Sequence, residues 1–295
     1  MIILDSFVIS RAGSEELESF GVIVTTRKVF RNVAKAVSSQ GKRLQCATDG
    51  TYKFHFGGWT IVDCGTEAVT WVAPNYVHRF IPWVYMFVRS ESTNAYVKMF
   101  QAVRRCGKEF FNVSVDVAFA SLDHSEAIAS AFLQELPRVK LLLCWPHLVR
   151  QATKKKTLLS DEDLYGTLIK PYLNFLRLAR THAQFIRMAR IIYEYWCSEG
   201  EEAYATWFHS VYLTSRWERW HINASGQQGI IPSQQGIEAH HSAIKKPCAP
   251  SSRASTSGVM HGILPRILKY DGDNLCQSTS GQFCEDQECF RKPSD

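Results

Sequence analysis

The 295-residue sequence has no apolar run long enough to cross a bilayer. Its longest clean run, residues 80–88, is interrupted by Pro82, and a membrane-spanning helix needs about 20 apolar residues. No basic stretch precedes the short apolar run at Ile2, so a secretory signal is not expected. The nine cysteines are odd in number and scattered from Cys46 to Cys289. In a chain of this size that reads as a reduced intracellular protein and excludes a disulfide framework. Apolar content is not scarce: 45% apolar and 21% charged residues exclude wholesale disorder. A chain this long can bury a full core without cross-links. No internal repeat is visible.

Acids are scarce in the middle of the chain. Residues 138–190 hold eleven Lys or Arg against Asp161, Glu162 and Asp163, a balance of +8 where the whole chain carries +6. A concentrated positive region suits a polyanion such as nucleic acid. A solvated helical face explains the same charge equally well. Residues 173–196 have helical spacing. Phe175, Leu178, Phe185, Ile186, Ala189, Ile192, Tyr193 and Trp196 share one face, with Arg177, Arg180, Arg187 and Arg190 opposite. Lys154, Lys155 and Lys156 lie upstream. This basic set is the candidate DNA-contacting surface.

The pattern along the chain is α/β. Residues 1–43 are mixed and suggest surface helix or loop without an assignable role. Residues 44–48, 59–64 and 79–89 read as strands separated by Gly57-Gly58 and Pro74-Asn75. A helix over 95–105 follows the capping residues of Ser90-Glu91-Ser92-Thr93. Residues 112–119 predict a strand, 125–136 a helix and 139–144 a buried strand. The order is β-β-β-α-β-α-β, and strand signals stop after Gln151. Residues 152–230 read as a helical insertion and 231–247 as a final short helix. Residues 248–295 read as a flexible tail rich in Ser and Pro that contains Cys276, Cys284 and Cys289.

Three acids stand out. Asp49 closes the first of these strands, Asp116 interrupts an apolar strand, and Glu238 lies on the last helix. A carboxylate inside an apolar strand is costly unless it is paired or binds metal. Hard oxygen ligands suit Mg²⁺ or Mn²⁺, and a pair of such ions supports phosphodiester chemistry. A turn role for Asp49 before Gly50 stands as an equal alternative. Asp63, Asp123 and Glu218 read as structural carboxylates. Cys144 and His147 make a Cys-x-x-His, half of a zinc site, for which a structural role is the default.

Taken in order, these pieces resemble the transposase domain of Mutator-like elements, the MULE family. Asp49-Gly50-Thr51 is similar to the family's strand-end Asp-Gly-Thr. Ser90-Glu91-Ser92 with Tyr96, Asp116 with Glu126-Ala127-Ile128, and Leu143-Cys144-Trp145-Pro146-His147-Leu148 match later elements. Ile237-Glu238 with Ile244-Lys245 matches the last one. The likeness spans residues 44–246. It implies a ribonuclease-H-like fold, with a mixed five-stranded sheet, flanking helices and an all-helical insertion before the last acidic helix. It implies an Asp49, Asp116, Glu238 triad holding two Mg²⁺ or Mn²⁺ ions, strand cleavage and strand transfer on DNA, assembly as a homo-oligomer on that DNA, and a nuclear location. Gln234-Gln235 stand where the family usually has two asparagines, and no terminal zinc module is apparent. A non-catalytic, transposase-derived DNA-binding protein is therefore the alternative expectation, with a ribonuclease on the same fold third.

Overall fold

The computed structural model describes residues 1–275 except 12, 15, 53, 73 and 250–252. Among the described residues, seven strands form a mixed sheet in the order β1-β2-β5-β4-β3-β6-β7. The strands are β1 (Ile2–Ser10), β2 (Leu17–Thr25), β3 (Gln45–Thr51), β4 (Thr60–Val72), β5 (Asn75–Val88), β6 (Phe119–Leu122) and β7 (Lys140–Leu143). The expected α/β class holds, with seven strands instead of five. The two extra strands come from residues 1–43. They form an antiparallel hairpin followed by α1 (Arg27–Gln40). Thr26 caps α1 by accepting from the Val29 N–H, and Gly41 closes it at φ 53°. The three strands from β3 to β5, α2 (Thr93–Phe111), β6, α3 (Glu126–Glu135) and β7 follow the predicted order, but the strand expected over 112–119 does not form there, and β6 begins only at Phe119.

The chain divides into two compact units. The first comprises Met1–Ala118, Glu126–Val139 and Gln235–Asp295. In it α8 (Gln235–Cys248), a helical turn α9 (Thr256–Gly258), a π-helical stretch Val259–Ile263 and α10 (Leu264–Asn274) follow one another. One face of β3, β4 and β5 packs Cys46, Cys64 and Trp83 with Phe100 of α2 and Phe132 of α3, whose rings stack 4.3 Å apart. The other face buries Ile61, Tyr85 and Phe87 with Ile244 of α8 and Leu264, Ile267 and Leu268 of α10. Each such aliphatic side chain contributes about 1.5–3 kcal/mol when fully buried. Residues 256–274 are thus part of the core and not a flexible tail; their signal was diluted by the Ser-rich stretch before them. Cys276, Cys284 and Cys289 lie outside the described residues.

A bulge sets which side chains face α8. Cys64 pairs with Val84 but Gly65 with Pro82, so Trp83 is an extra residue in β5. Strand side chains alternate between faces, so Phe80 and Tyr85 would point oppositely in an unbroken strand. The extra residue brings both to the α8 side, where Phe80 packs on Ala47 and Ile237. Gly65 is required at the bulge, because a Cβ there would sit 2.3 Å from the Ile81 carbonyl oxygen.

The second unit comprises Phe119–Ser125 and Lys140–Gln234. The short strands β6 and β7 pair in parallel. Helices α4 (Trp145–Lys154), α5 (Lys170–Arg177), α6 (His182–Ser198) and α7 (Glu202–Phe208) follow. Trp196, Trp220, Phe185, Phe208, Tyr204 and Tyr212 make an aromatic core. The predicted single helix over 173–196 is two helices. Thr181 caps α6 by accepting from the Gln184 N–H, and that break turns the apolar stripe. Phe185, Ala189, Ile192 and Trp196 are buried as expected, whereas Phe175 and Leu178 are 59% and 64% exposed.

Candidate functional site

Asp49 lies in β3, directly opposite Asp63 of β4 in the antiparallel register. Ala47, two residues before Asp49, packs on Ile237. Alternation therefore places Asp49 and Asp63 on the α8 side of the sheet. Asp49 is half-buried, and its Oδ1 accepts the Gly50 N–H at 2.8 Å. Glu91 approaches over Gly50, where a Cβ would lie 2.7 Å from Glu91 Oε2. Tyr96 donates its hydroxyl to that oxygen at 2.6 Å. Burial first, then Glu91 and Asp49, push the Tyr96 phenol well above its ordinary pKa.

Glu238 sits in the first turn of α8 and is half-buried. One turn on, His240 and His241 are buried. A carboxylate can only accept, so His241 Nε2–H donates to Asp63 Oδ1, at 2.9 Å. Burial opposes a charge on His241, but Asp63, its hydrogen bond and Asp49 outweigh it and raise the pKa above 6.5. Tyr85 donates to Asp271 Oδ2 at 2.5 Å, so His240 Nε2, 2.8 Å from the same hydroxyl, is the donor to it. Burial lowers the His240 pKa to about 4 despite Asp63. Burial raises Asp271 to about 8. Glu67 of β4 is likewise raised to about 8 by burial. Its Oε1 lies 3.3 Å from where a Cβ would stand on Gly236, in the first turn of α8.

This polar layer was largely invisible to the sequence. Asp63 read as structural, and the adjacent His240-His241 beside Glu238 were the available signal. Nothing in the sequence around Asp271 points to it.

Asp116 is placed differently from the expectation. It lies in the segment 112–118, which has no regular structure, ahead of β6. Its side chain is 67% exposed and 3.3 Å from Arg138. The alternation was real, since Val115 and Val117 are buried, but Asp116 falls on the outward phase. The acid that directly follows β6 is Asp123, which is half-buried.

In the second unit Cys144 is buried, and its sulfur accepts the Gln234 N–H at 3.3 Å. His147 is half-buried on α4. Arg177 lies 5.0 Å over the Trp145 ring, a cation–π contact. Lys156 pairs with Glu162 at 2.6 Å, and Arg190 is 4.0 Å from Glu194. Lys154, Lys155, Arg180, Arg187 and Arg190 are exposed.

Among the described residues no three His, Cys, Asp or Glu side chains converge as a metal site. Asp49 and Glu238 each offer carboxylate oxygens, the donor type that Mg²⁺ takes from one or two side chains with water and phosphate completing its shell. Among the described residues no helix is long and apolar enough to cross a membrane. No curated protein gives a significant match to the chain. The MULE transposase domain matches residues 46–151, a stretch that begins beside Asp49 and ends within α4.

Proposed function

We propose that this chain is the DNA-processing core of a Mutator-like transposase that cleaves and joins DNA strands with divalent cations. The observation that carries the reading is that β3 and α8 present Asp49 and Glu238 on one side of the same sheet, beside a buried layer of acids and histidines, with Asp49 inside the matched domain. Asp49 and Glu238 would hold Mg²⁺ or Mn²⁺, with Glu91 as a neighbouring carboxylate. Asp116 is the second aspartate of the triad that the resemblance implies, and its exposure and its pairing with Arg138 make it the least supported of the three.

A bound divalent cation supplies Lewis acidity toward phosphodiester oxygens. Asp49 and Glu238 would orient such an ion, and the Gly50 N–H holds the Asp49 carboxylate at 2.8 Å. Exposed Arg180, Arg187 and Arg190, with Lys154 and Lys155, offer charge to the phosphate backbone. Two ions, assembly of copies on DNA, and a nuclear site of action belong to this reading. Cys144 serves the second unit structurally through Gln234.

The test is Mn²⁺-dependent nicking of duplex DNA by wild type and by Asp49→Asn, Glu238→Gln, Asp116→Ala and Asp123→Asn. The reading expects loss in the Asp49 and Glu238 variants, while the Asp116 and Asp123 variants decide which aspartate, if either, is needed for cleavage. Salt-sensitive binding without nicking by wild type would favour the non-catalytic alternative. Cleavage confined to RNA–DNA hybrids would favour a ribonuclease.

A further inference from the structure

We propose that His241 is a positioning residue for the Asp49 and Glu238 carboxylates, acting through its hydrogen bond to the buried Asp63. The inference rests on the reading of Asp49 and Glu238 as cation ligands.

The argument starts from β3 and β4. Asp49 and Asp63 are directly opposed across the antiparallel pair, and like charges so placed repel. Asp63 is fully buried, so water cannot screen it. A buried carboxylate needs a partner or becomes a large cost. His241 is the partner, at 2.9 Å, and it comes from α8. Asp49 adds to the field that favours a proton on His241. The hydrogen bond from His241 thus satisfies the buried Asp63 carboxylate and fixes it beside Asp49.

The same contact fixes α8. Ile237 anchors the helix on Ala47 and Phe80, and His241 anchors it on Asp63. Glu238 lies one residue after the first anchor and three before the second. Residues three or four apart share a helix face, so Glu238 and His241 point to neighbouring parts of the sheet. A slip of one residue rotates a helix by about 100°, which would carry Glu238 away from β3. Two anchors on either side of Glu238 prevent that slip.

The experiment measures Mn²⁺ affinity of the full chain by calorimetry, with near-UV circular dichroism as the check on folding. Glu238→Gln is expected to weaken binding. His241→Ala is expected to weaken it about tenfold, the low end for loss of a residue that orients a ligand. His241→Gln, which keeps a donor for Asp63, is expected to restore most of the affinity. The double variant His241→Ala with Glu238→Gln is expected to lose less than the sum of the two single losses, because the Glu238 share of the effect is already gone. If His241→Ala fails to fold, His241→Leu combined with Asp63→Asn leaves no buried charge and is expected to show the same tenfold loss.

Wild-type affinity in Glu238→Gln would remove the underlying metal reading. A weakened Glu238→Gln beside a wild-type His241→Ala, or additive losses in the double variant, would overturn the positioning role alone.

Discussion

Replacing Glu67 by Gln isolates the electrostatic cost of the layer beneath α8. Glu67 is buried on β4, and among the described residues its Oε1 has no hydrogen-bond partner. Burial alone raises its pKa from 4.5 to about 8. The acid is therefore favoured in its neutral form once folded, and its contribution has a definite sign. It is fully present below pH 4.5, declines as pH rises, and is lost above about pH 8. At about 1.36 kcal/mol for each pH unit, that gap sets a ceiling on the order of 5 kcal/mol. Relaxation and water entry at high pH will bring the observed value lower, to roughly 2–4 kcal/mol. Glutamine has the same shape and no charge to desolvate. The assay is urea unfolding of wild type and Glu67→Gln at intervals from pH 4.5 to 9. The variant's advantage is expected to grow with pH and level off above pH 8. Parallel pH profiles for the two proteins would refute the reasoning, since they would mean that Glu67 titrates in the folded chain as it does in the unfolded one.

Gly65→Ala is expected to cost about 3 kcal/mol or more in thermal or urea unfolding, because the new methyl would lie 2.3 Å from backbone oxygen and 2.8 Å from Pro82 Cα. Replacing Arg180, Arg187 and Arg190 together by Ala is expected to flatten the salt dependence of DNA binding by up to about three in the log–log slope, while melting temperature stays close to wild type. An unchanged slope would assign these exposed arginines to solvation alone.

The central alternation of strands and helices was legible because each element carries its own period. β3 to β5, β7 and the helices between them follow from apolar runs, turn residues and caps such as Ser92, which accepts from the Ala95 N–H. The first two strands were not read from the sequence, where residues 1–43 suggested surface helix or loop. Asp116 misled because a strand-like alternation continued through a segment that does not pair. The residues that miss entirely are those whose meaning depends on long-range register. Asp63 faces Asp49 only because β3 and β4 pair as they do. Tyr85 meets His240 and Asp271 only because Trp83 is an extra residue in β5. No local pattern encodes either fact. The resemblance pointed to Glu238 on α8, whereas the family match covers residues 46–151 and reaches neither α8 nor α10.

The two faces of the first unit's strands differ in a way that stability alone does not require. The side under α2 and α3 is filled by Cys46, Cys64, Trp83, Phe100 and Phe132. The side under α8 and α10 holds Asp63, Glu67, His240, His241 and Asp271, all buried. Apolar residues of similar volume would serve packing as well or better, because a buried ion pair seldom recovers its desolvation cost. What polar groups add is direction: a hydrogen bond of 2.9 Å between His241 and Asp63 permits one helix register, whereas a methyl contact tolerates several. The polar face is also the face of Asp49. Helix α10 completes it by burying Leu264, Ile267 and Leu268 against the same sheet and delivering Asp271 to Tyr85. The unit therefore combines a dry side that supplies stability with a polar side that gives some of it up to hold α8, and with it Glu238, in one orientation.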